Sequence, residues 1–327
     1  MIIDIYSHVC PAAFIDAVQE LYPTREGAAL AGKPLLFDPA ARLEFMDRQG
    51  IDRQVLTLVR PPIWLGMPKE HMHQLLRVAH EGIADMVAAH PDRFTGVAVA
   101  PRGDDHVLGE VRYAWQELGL TGVQIFTNID GEPIDSPEMW PLYAEASSAG
   151  QPIWIHPQHN PHAYPWITES LLDRSLAWPF DTALAVTRLA YSGVMDLYPE
   201  LRFVTHHLGG VVPYLASRLE AFDEEISEFA RDGLASEGTA RLARPLGEYL
   251  RSFYGDTAIC AGPATLECGI QFFGLGRVAF GTDFPMGGGG GTRWTGQILQ
   301  TIRDALPDQA DRDQVLSETA RRLLGLS

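Results

Sequence analysis

Short apolar runs rich in β-branched residues alternate along this chain with longer amphipathic stretches. Such runs predict parallel strands that are buried on both faces, and the amphipathic stretches predict helices between them. Strands are predicted near residues 2–7, 53–59, 94–99, 122–126, 152–156, 202–206, 252–256 and 278–282. Helices are predicted at 72–89, 104–118, 138–149, 182–195 and 213–230.

Eight strand-then-helix units in 327 residues favour a single α/β domain, a (β/α)8 TIM barrel over residues 1–327. A doubly wound sheet is the alternative, but polar residues fall at the same end of several strands, which favours the barrel. Segment 22–38 breaks the alternation, so we interpret it as a small insertion after strand one, either a hairpin or a lid. The stretch 157–181, rich in proline and aromatic residues, is predicted to be a long functional loop.

Charge and cysteine usage narrow the partners and the compartment. The 42 acidic residues outnumber the 25 basic ones, for a net charge of −17, and phosphate binding needs a basic face, so no nucleic-acid partner is expected. Three cysteines without a CxxC pair do not form a disulfide framework, and free thiols indicate the cytoplasm. The chain shows neither a signal-peptide pattern nor an apolar run of about 18 residues, so no membrane association is expected.

Polar residues with metal-binding chemistry stand where the predicted strands end. A barrel builds its active site from the carboxyl ends of its strands, so these residues are expected to share one site. Alternation along strand one would place Asp4, Tyr6 and His8 on one face. The other strand ends carry His156, the pair His206 and His207, and Asp283.

Imidazole and carboxylate groups together suit zinc, manganese or iron, and they leave positions open for water or substrate. Two histidines and one aspartate would offset one unit of a doubly charged ion, and the remaining positive charge suits an anionic substrate. Deprotonating Tyr6 at pH 7 costs about 4 kcal/mol from a reference pKa near 10. A neutral phenol beside the metal is therefore preferred over a coordinating phenolate.

Several blocks of the chain resemble, in the same order, the amidohydrolase superfamily. The branch is that of aminocarboxymuconate semialdehyde decarboxylase and related metal-dependent aromatic-acid decarboxylases. The blocks span nearly the whole chain: DPAARLEFMDRQGID, HPDRFTGVAVAP, ELGLTGVQIFTNIDGEPIDSPEMWPLYAEASSAGQPIWIHP, LYPELRFVTHHLGG and RVAFGTDFP. The resemblance implies a distorted (β/α)8 barrel and non-oxidative release of CO2 from a small aromatic or unsaturated carboxylic acid, without an organic cofactor.

The resemblance also implies roles for individual residues. His8, His156 and Asp283 match the family's metal ligands, with Zn²⁺ preferred and Mn²⁺ as the alternative. His207 matches a histidine that moves a proton near the metal, and Asp283 is the expected proton carrier. Tyr6 departs from the pattern, because it replaces the first histidine of the family's HxH pair.

Substrate-binding residues follow from the same resemblance. Arg42 resembles an arginine that holds the substrate carboxylate, and Arg218 resembles one that a neighbouring subunit inserts into the site, which implies a homodimer. Without the resemblance, both would be interpreted as surface charges on helices. An apolar wall for a flat, anionic aromatic substrate is expected from Trp178 and Phe284, with Tyr164, Trp166 and Phe180 as further candidates.

Two alternative functions remain open at this level. The same site could generate hydroxide, which suits a hydrolase of a lactone, an amide or a C–C bond, or a related hydratase. The second alternative is a binding protein without activity, in which Tyr6 marks a site that has lost its metal. The intact His8, His156, His207 and Asp283 argue against this second alternative.

Overall fold

The computed structural model describes residues 1–23, 30–59, 67–231, 242–259 and 262–326. Eleven strands lie in these ranges: β1 Ile3–Val9, β2 Arg53–Leu58, β3 Phe94–Gly96, β4 Ala98–Val99, β5 Val123–Phe126, β6 Asn128–Ile129, β7 Glu132–Pro133, β8 Ile153–His156, β9 Phe203–Thr205, β10 Tyr254–Asp256 and β11 Val278–Ala279. The α-helices of the same ranges are α1 Ala12–Leu21, α2 Pro39–Gln49, α3 Lys69–Ala89, α4 Asp105–Gln116, α5 Trp140–Ser148, α6 Trp178–Tyr191, α7 Val194–Leu197, α8 Val212–Arg231, α9 Leu246–Ser252, α10 Pro263–Phe273, α11 Thr292–Ala305, α12 Gln309–Asp313 and α13 Thr319–Leu324.

All strands outside the small β6–β7 hairpin run parallel. One sheet has the order β1-β2-β3, and the other has the order β11-β10-β9-β8-β5-β4. The predicted strand 94–99 is the pair β3 and β4, which are separated only by Val97 and so join the two sheets in sequence. The eight predicted strands are therefore all present in sequential order, as a (β/α)8 barrel requires.

Backbone hydrogen bonds also connect β1 to the residues around and after β11. The Ile5 amide donates to the Phe280 carbonyl at 2.8 Å, and the His8 amide donates to the Phe284 carbonyl at 2.6 Å. Ser7 and Phe284 form a parallel bridge. These bonds join β1 to the segment that contains and follows β11, so the first and last strands of the barrel meet at its rim.

A bulge in β1 changes which side chains share a face. The register with β2 advances by three residues on β1 between Asp4 and Ser7, but by two on β2. As a result, Ile5 and Tyr6, which are adjacent in sequence, both pack in the inner apolar cluster with Trp154. The expectation that Asp4 shares a site with Tyr6 and His8 is wrong, because Asp4 bonds to Gln54 and Thr282 instead.

The predicted loop 157–181 needs correction, whereas the insertion or lid at 22–38 stays a prediction. Helix α6 begins at Trp178, inside the predicted loop 157–181, and Pro179 in its first turn is typical of a helix start. That loop also contains the helical turns Pro165–Leu171 and Asp173–Ala177. In segment 22–38, residues 24–29 lie outside the described ranges. The rest contains the turn Pro34–Leu36 and no strand.

The core has two layers, one inside the strands and one between the strands and helices. The inner cluster contains the fully buried indole of Trp154, which donates to the Ile5 carbonyl at 3.1 Å. The outer cluster packs the apolar faces of the helices against the strands. In the part of the chain that the structure describes, no helix is both long enough and apolar enough to cross a bilayer.

Asp4 fastens β1 to its neighbours on both sides. Its fully buried carboxylate accepts from the Gln54 amide at 2.9 Å and from the Thr282 hydroxyl at 2.6 Å. Arg42 donates in turn to Gln54 Oε1 at 2.8 Å, which fixes the orientation of that amide. Burial raises the pKa of Asp4 to about 7, although the hydrogen bonds from Thr282 and Gln54 oppose this shift.

We predict that the titration of Asp4 makes the free energy of unfolding depend on pH. The native state retains a proton that the unfolded chain loses near pH 4, so the contribution of Asp4 to the free energy of unfolding falls between about pH 4 and pH 7, by up to about 4 kcal/mol. Asp4→Asn removes this fall. Urea unfolding of both proteins across this pH range measures the difference. Asp16→Asn, at an exposed position of helix α1, is the control. A wild-type-minus-variant difference that is constant with pH would contradict the prediction.

Candidate active site

The carboxyl ends of four strands bring six polar side chains into one cluster. Parallel strands end at the same rim of a barrel, so residues far apart in sequence become neighbours there. The residues are Tyr6 and His8 from β1, His156 from β8, His206 and His207 after β9, and Asp283 after β11. Asp256 at the end of β10 lies directly behind His206.

The first group of metal-binding geometry comprises three buried histidines. The ligating nitrogens of His8, His156 and His206 all lie within 4.8 Å of one another. A second group, His206, His207 and Asp283, meets the same criterion. His8 Nε2 lies 3.0 Å from Asp283 Oδ1. Neutral imidazoles and a carboxylate at such separations are suitable ligands for a divalent cation.

Hydrogen bonds fix the tautomer of His8. The hydroxyl of Thr57 donates its proton to the Ser7 carbonyl at 3.1 Å, so it accepts from His8 Nδ1 at 2.9 Å. Burial lowers the pKa of His8, although Asp283 opposes this shift, so the ring is neutral and Nε2 carries a lone pair. That lone pair lies 3.0 Å from Asp283 Oδ1, so the two atoms are placed to hold one divalent cation together.

His156 is fixed in the same way. Its Nδ1 lies 2.5 Å from the Pro157 carbonyl, which only accepts, so Nδ1 carries the proton. Burial and the neighbouring histidines lower the pKa of His156 well below its usual value. The neutral ring therefore presents Nε2 to the cluster as a ligand.

The two carboxylate oxygens of Asp283 face different groups. Oδ1 faces His8 and lies 3.5 Å from His206 Nε2, whereas Oδ2 lies 3.9 Å from His207 Nε2. Burial alone would raise the pKa of Asp283, but the neighbouring imidazoles of His206, His207 and His8 hold it well below the usual range. One side of this carboxylate therefore suits a metal, and the other suits proton exchange with His207.

The backbone at the two expected proton-transfer residues is unusual. Asp283 has φ of 60° and His207 has φ of 54°, which is the left-handed region that favours glycine. Non-glycine residues in this region cost about 1–3 kcal/mol each and cluster at active sites. Side chains of both residues remain 12–13% exposed, while His8 and His206 are closed off. Asp283 and His207 thus form the accessible edge of the cluster.

Tyr6 lies inside the cluster without a hydrogen-bond partner for its hydroxyl among the described residues. Its ring is completely buried and stacks on His206 with the centroids 3.9 Å apart. Burial, Asp256 and Asp283 all raise the pKa of Tyr6 well above 10. These facts agree with the preferred interpretation of a neutral phenol.

Arg42 lies buried beside β1, and protein groups accept from its donors. Its side chain is fully buried and donates to Gln54, to the carbonyls of His8 and Leu35, and to the hydroxyl of Ser7. These bonds tie Arg42 to the backbone of β1 and its neighbours, and a role in holding the substrate carboxylate stays a prediction. The alternative of a surface charge is wrong, since the guanidinium is fully buried.

Trp178, Phe284 and Arg218 lie in different places. Trp178 packs edge-on against His156 with centroids 5.8 Å apart, and its indole N–H is buried without a partner among the described residues. Phe284 is fully buried and stacks on Phe45, so it belongs to the core instead of an open pocket wall. Arg218 lies exposed on α8, with its guanidinium over the ring of Phe222.

The further aromatic candidates are largely exposed. Tyr164 and Trp166 stack on each other with centroids 5.0 Å apart and are 68% and 53% exposed, and Phe180 is 51% exposed. From the sequence, His206 was expected only as a member of the shared site, and Asp256 was not predicted. The doublet His206–His207 after a predicted strand was the available signal for His206, and the acidic end of the next strand was the signal for Asp256.

A family model described as amidohydrolase matches residues 3–326 of this chain. The 2-amino-3-carboxymuconate-6-semialdehyde decarboxylase of Dictyostelium discoideum is 27% identical over 304 residues, which cover 89% of this chain and 77% of that protein. The 6-methylsalicylic acid decarboxylase of Penicillium expansum is 29% identical over 296 residues, which cover 86% of this chain and 84% of that protein.

A solved structure shares the fold. It is the crystal structure of 5-carboxyvanillate decarboxylase from Novosphingobium aromaticivorans, complexed with manganese and 4-hydroxy-3-methoxy-5-nitrobenzoic acid. The TM-score is 0.85 with 22% sequence identity, and the match covers 100% of this chain and 96% of that chain. The expected fold class, a distorted (β/α)8 barrel, is confirmed.

We predict that His156→Ala removes most of the bound divalent metal from the purified protein. The substitution deletes one imidazole from a cluster of buried ligands that the rest of the fold holds in place. Elemental analysis after dialysis against Mn²⁺ or Zn²⁺ measures the stoichiometry, and the exposed His162→Ala is the matched control. Equal metal content in the two variants would exclude His156 from the site.

Proposed function

Because the chain belongs to the amidohydrolase family, we propose that it catalyses metal-dependent, non-oxidative decarboxylation of a small aromatic or unsaturated carboxylic acid. The two similar proteins reported above are decarboxylases of such acids. The observation that carries the proposal is the convergence of His8 Nε2 and Asp283 Oδ1, 3.0 Å apart, with two further buried histidines. These groups would hold a divalent cation, and the substrate would bind beside it.

His8, His156 and Asp283 would hold the ion in this proposal. Their donor atoms, two imidazole nitrogens and a carboxylate oxygen, suit either Zn²⁺ or Mn²⁺. Zinc was preferred from the sequence, and the manganese in the similar structure makes Mn²⁺ the first ion to test. When bound, such an ion would stabilise negative charge on substrate oxygens. The remaining positive charge favours an anionic acid in the site.

Asp283 and His207 would manage the proton. Decarboxylation leaves an electron pair on carbon, so protonation of the ring carbon that bears the carboxylate must come first. The C–C bond then breaks, its electrons restore the aromatic ring, and CO2 leaves. Asp283 is ionised in the resting protein and must first receive a proton. His207, 3.9 Å from Oδ2 at the accessible edge, is positioned to exchange protons with it.

Trp178 would form part of the pocket wall. Its ring lies beside His156, and its buried N–H has no partner among the described residues, so a substrate oxygen could accept from it. Such a flat aromatic surface suits a planar substrate. The free thiols Cys10 and Cys268 support our inference of a cytoplasmic location.

We predict CO2 release when the protein, loaded with Mn²⁺ or Zn²⁺, is incubated with a panel of hydroxybenzoates. Asp283→Asn should lower the rate of turnover at least 10²-fold, because the amide cannot carry the proton. Isotope-labelled carboxylates measure the release, and thermal unfolding checks that the variant keeps its fold. Hydrolysis of a lactone panel without any CO2 release would transfer the assignment to a hydrolase.

We infer that the protein acts as a homodimer in which Arg218 reaches the site of the partner. Helix α8 carries Tyr214, Arg218 and Phe222 at intervals of four residues, which places them on one face. Tyr214 is 83% exposed, and Arg218 lies over the partly exposed ring of Phe222 at 4.7 Å. Helix α6, joined to α8 by a hydrogen bond, also exposes Phe180 and Leu184. Exposed apolar residues on two helices that contact each other support a protein interface.

We predict that two inactive variants restore activity when they share a dimer. Arg218→Ala lacks the donated arginine, and Asp283→Asn lacks the proton carrier. A mixed dimer combines an intact Asp283 with an intact Arg218 in one of its two sites. With random pairing, half the dimers are mixed, so coexpression should recover about a quarter of wild-type activity.

Light scattering confirms the dimer in each preparation, and the two single variants provide the baselines. Dimers that recover no activity after coexpression would contradict the inference, as would a protein that remains monomeric at assay concentration.

A further inference from the structure

The cluster contains more metal-binding groups than the family resemblance implies. In that pattern, β1 supplies two histidines, whereas here Tyr6 occupies the first of these positions. The structure nevertheless brings a third imidazole, His206, into the group with His8 and His156. The residue after β9 thus places an imidazole in the group where β1 provides only one.

The location of His206 Nε2 suits a metal ligand. The side chain is fully buried, and Nε2 has no hydrogen-bond partner among the described residues. It lies 3.5 Å from Asp283 Oδ1, and His8 Nε2 lies 3.0 Å from the same oxygen. Ligands of a tetrahedral ion with bonds of about 2.0–2.1 Å stand about 3.3–3.4 Å apart. The observed separations bracket this value.

Asp256 orients the other side of the ring. Its Oδ2 accepts from His206 Nδ1, and both side chains are fully buried. The remaining oxygen, Oδ1, accepts from the backbone amides of Leu208 at 3.3 Å and Ala258 at 3.0 Å, which hold the carboxylate in place. A carboxylate that accepts from one ring nitrogen while the other faces the metal is the usual arrangement of ligating histidines.

Two aromatic rings fix the plane of His206. Tyr6 stacks on it with centroids 3.9 Å apart and planes 19° from parallel. His207 also stacks on it, at 3.9 Å and 28°. The ring therefore has little freedom to rotate, and its Nε2 edge remains directed at the cluster. Tyr6 thus packs on the ring of His206, at the position where the family pattern has a metal-binding histidine.

We propose that His206, oriented by Asp256 and stacked on Tyr6, is a ligand of the divalent metal in place of the missing β1 histidine. The inference rests on the proposed function only for the presence of the metal. The ion would then have His8, His156, His206 and Asp283 as ligands, with one unit of positive charge remaining. His207 stays on the Oδ2 side of Asp283 and is left free for proton exchange.

Metal affinity tests the proposal independently of turnover. Metal-free protein is titrated with Mn²⁺ and with Zn²⁺ in competition with a chelating dye. We expect Asp256→Asn to weaken binding 10- to 100-fold and His206→Ala to weaken it at least as much. Tyr6→Phe keeps the ring and removes only the hydroxyl, so its affinity should stay within a few-fold of wild type. Added imidazole should restore part of the affinity of His206→Ala.

Three results would overturn the proposal. The first is wild-type affinity in His206→Ala when His156→Ala has lost it. The second is a loss in Tyr6→Phe as large as that in His206→Ala, which would make the phenolate the ligand. The third is a wild-type protein that binds neither ion. Circular dichroism of the metal-free variants checks the fold, and if His206→Ala does not fold, unchanged affinity in Asp256→Asn decides against the proposal.

The two proposals fail differently. A wild-type protein that binds metal through His206 but releases no CO2 from any acid leaves the ligand assignment standing and removes the decarboxylase. Release of CO2 by a protein whose metal affinity does not depend on His206 would support the decarboxylase and exclude His206 as a ligand.

Discussion

The hydrogen bonds between β1 and the segment around and after β11 determine where the groups of the active site stand. The amides of Ile5 and His8 donate to the carbonyls of Phe280 and Phe284, and Asp4 binds the side chain of Thr282 across 278 positions of sequence. This junction places Asp283 against His8. Because loop closure over so long a distance is unfavourable in the unfolded chain, the barrel must form before the site exists.

Several unfavourable features lie together at one rim of the barrel. They are the contact of His8 Nε2 with Asp283 Oδ1 at 3.0 Å, two residues at positive φ, and a phenol hydroxyl without a partner among the described residues. Each of these features costs stability in the protein without metal. Their concentration at one place, inside a well-packed core, indicates a functional constraint and not poor packing.

Much of this arrangement could be predicted from residue patterns. The eight strands are apolar on both faces, so their runs are visible without any tertiary information, and residues directly after them belong to one rim. His8, His156, His207 and Asp283 were found in this way. Arg42 was not understood, because a charge on a helix carries no local sign of burial. Its environment is produced by Gln54 and by strand ends distant in sequence.

His206 shows why local patterns fail at the site itself. His206 and His207 are adjacent, and which of them faces Oδ1 or Oδ2 of Asp283 depends on the left-handed backbone of His207 and on Asp256. The bulge in β1 likewise moves Asp4 away from Tyr6 and His8. Both features arise from contacts between strands.

The sequence by itself determined the strand–helix alternation, the barrel and the set of polar residues at its rim, because hydrophobic periodicity is a local property. Only the tertiary structure decided which nitrogen meets which oxygen and which arginine is buried. Those outcomes depend on register, bulges and backbone conformation, which are settled when strands distant in sequence pair with one another.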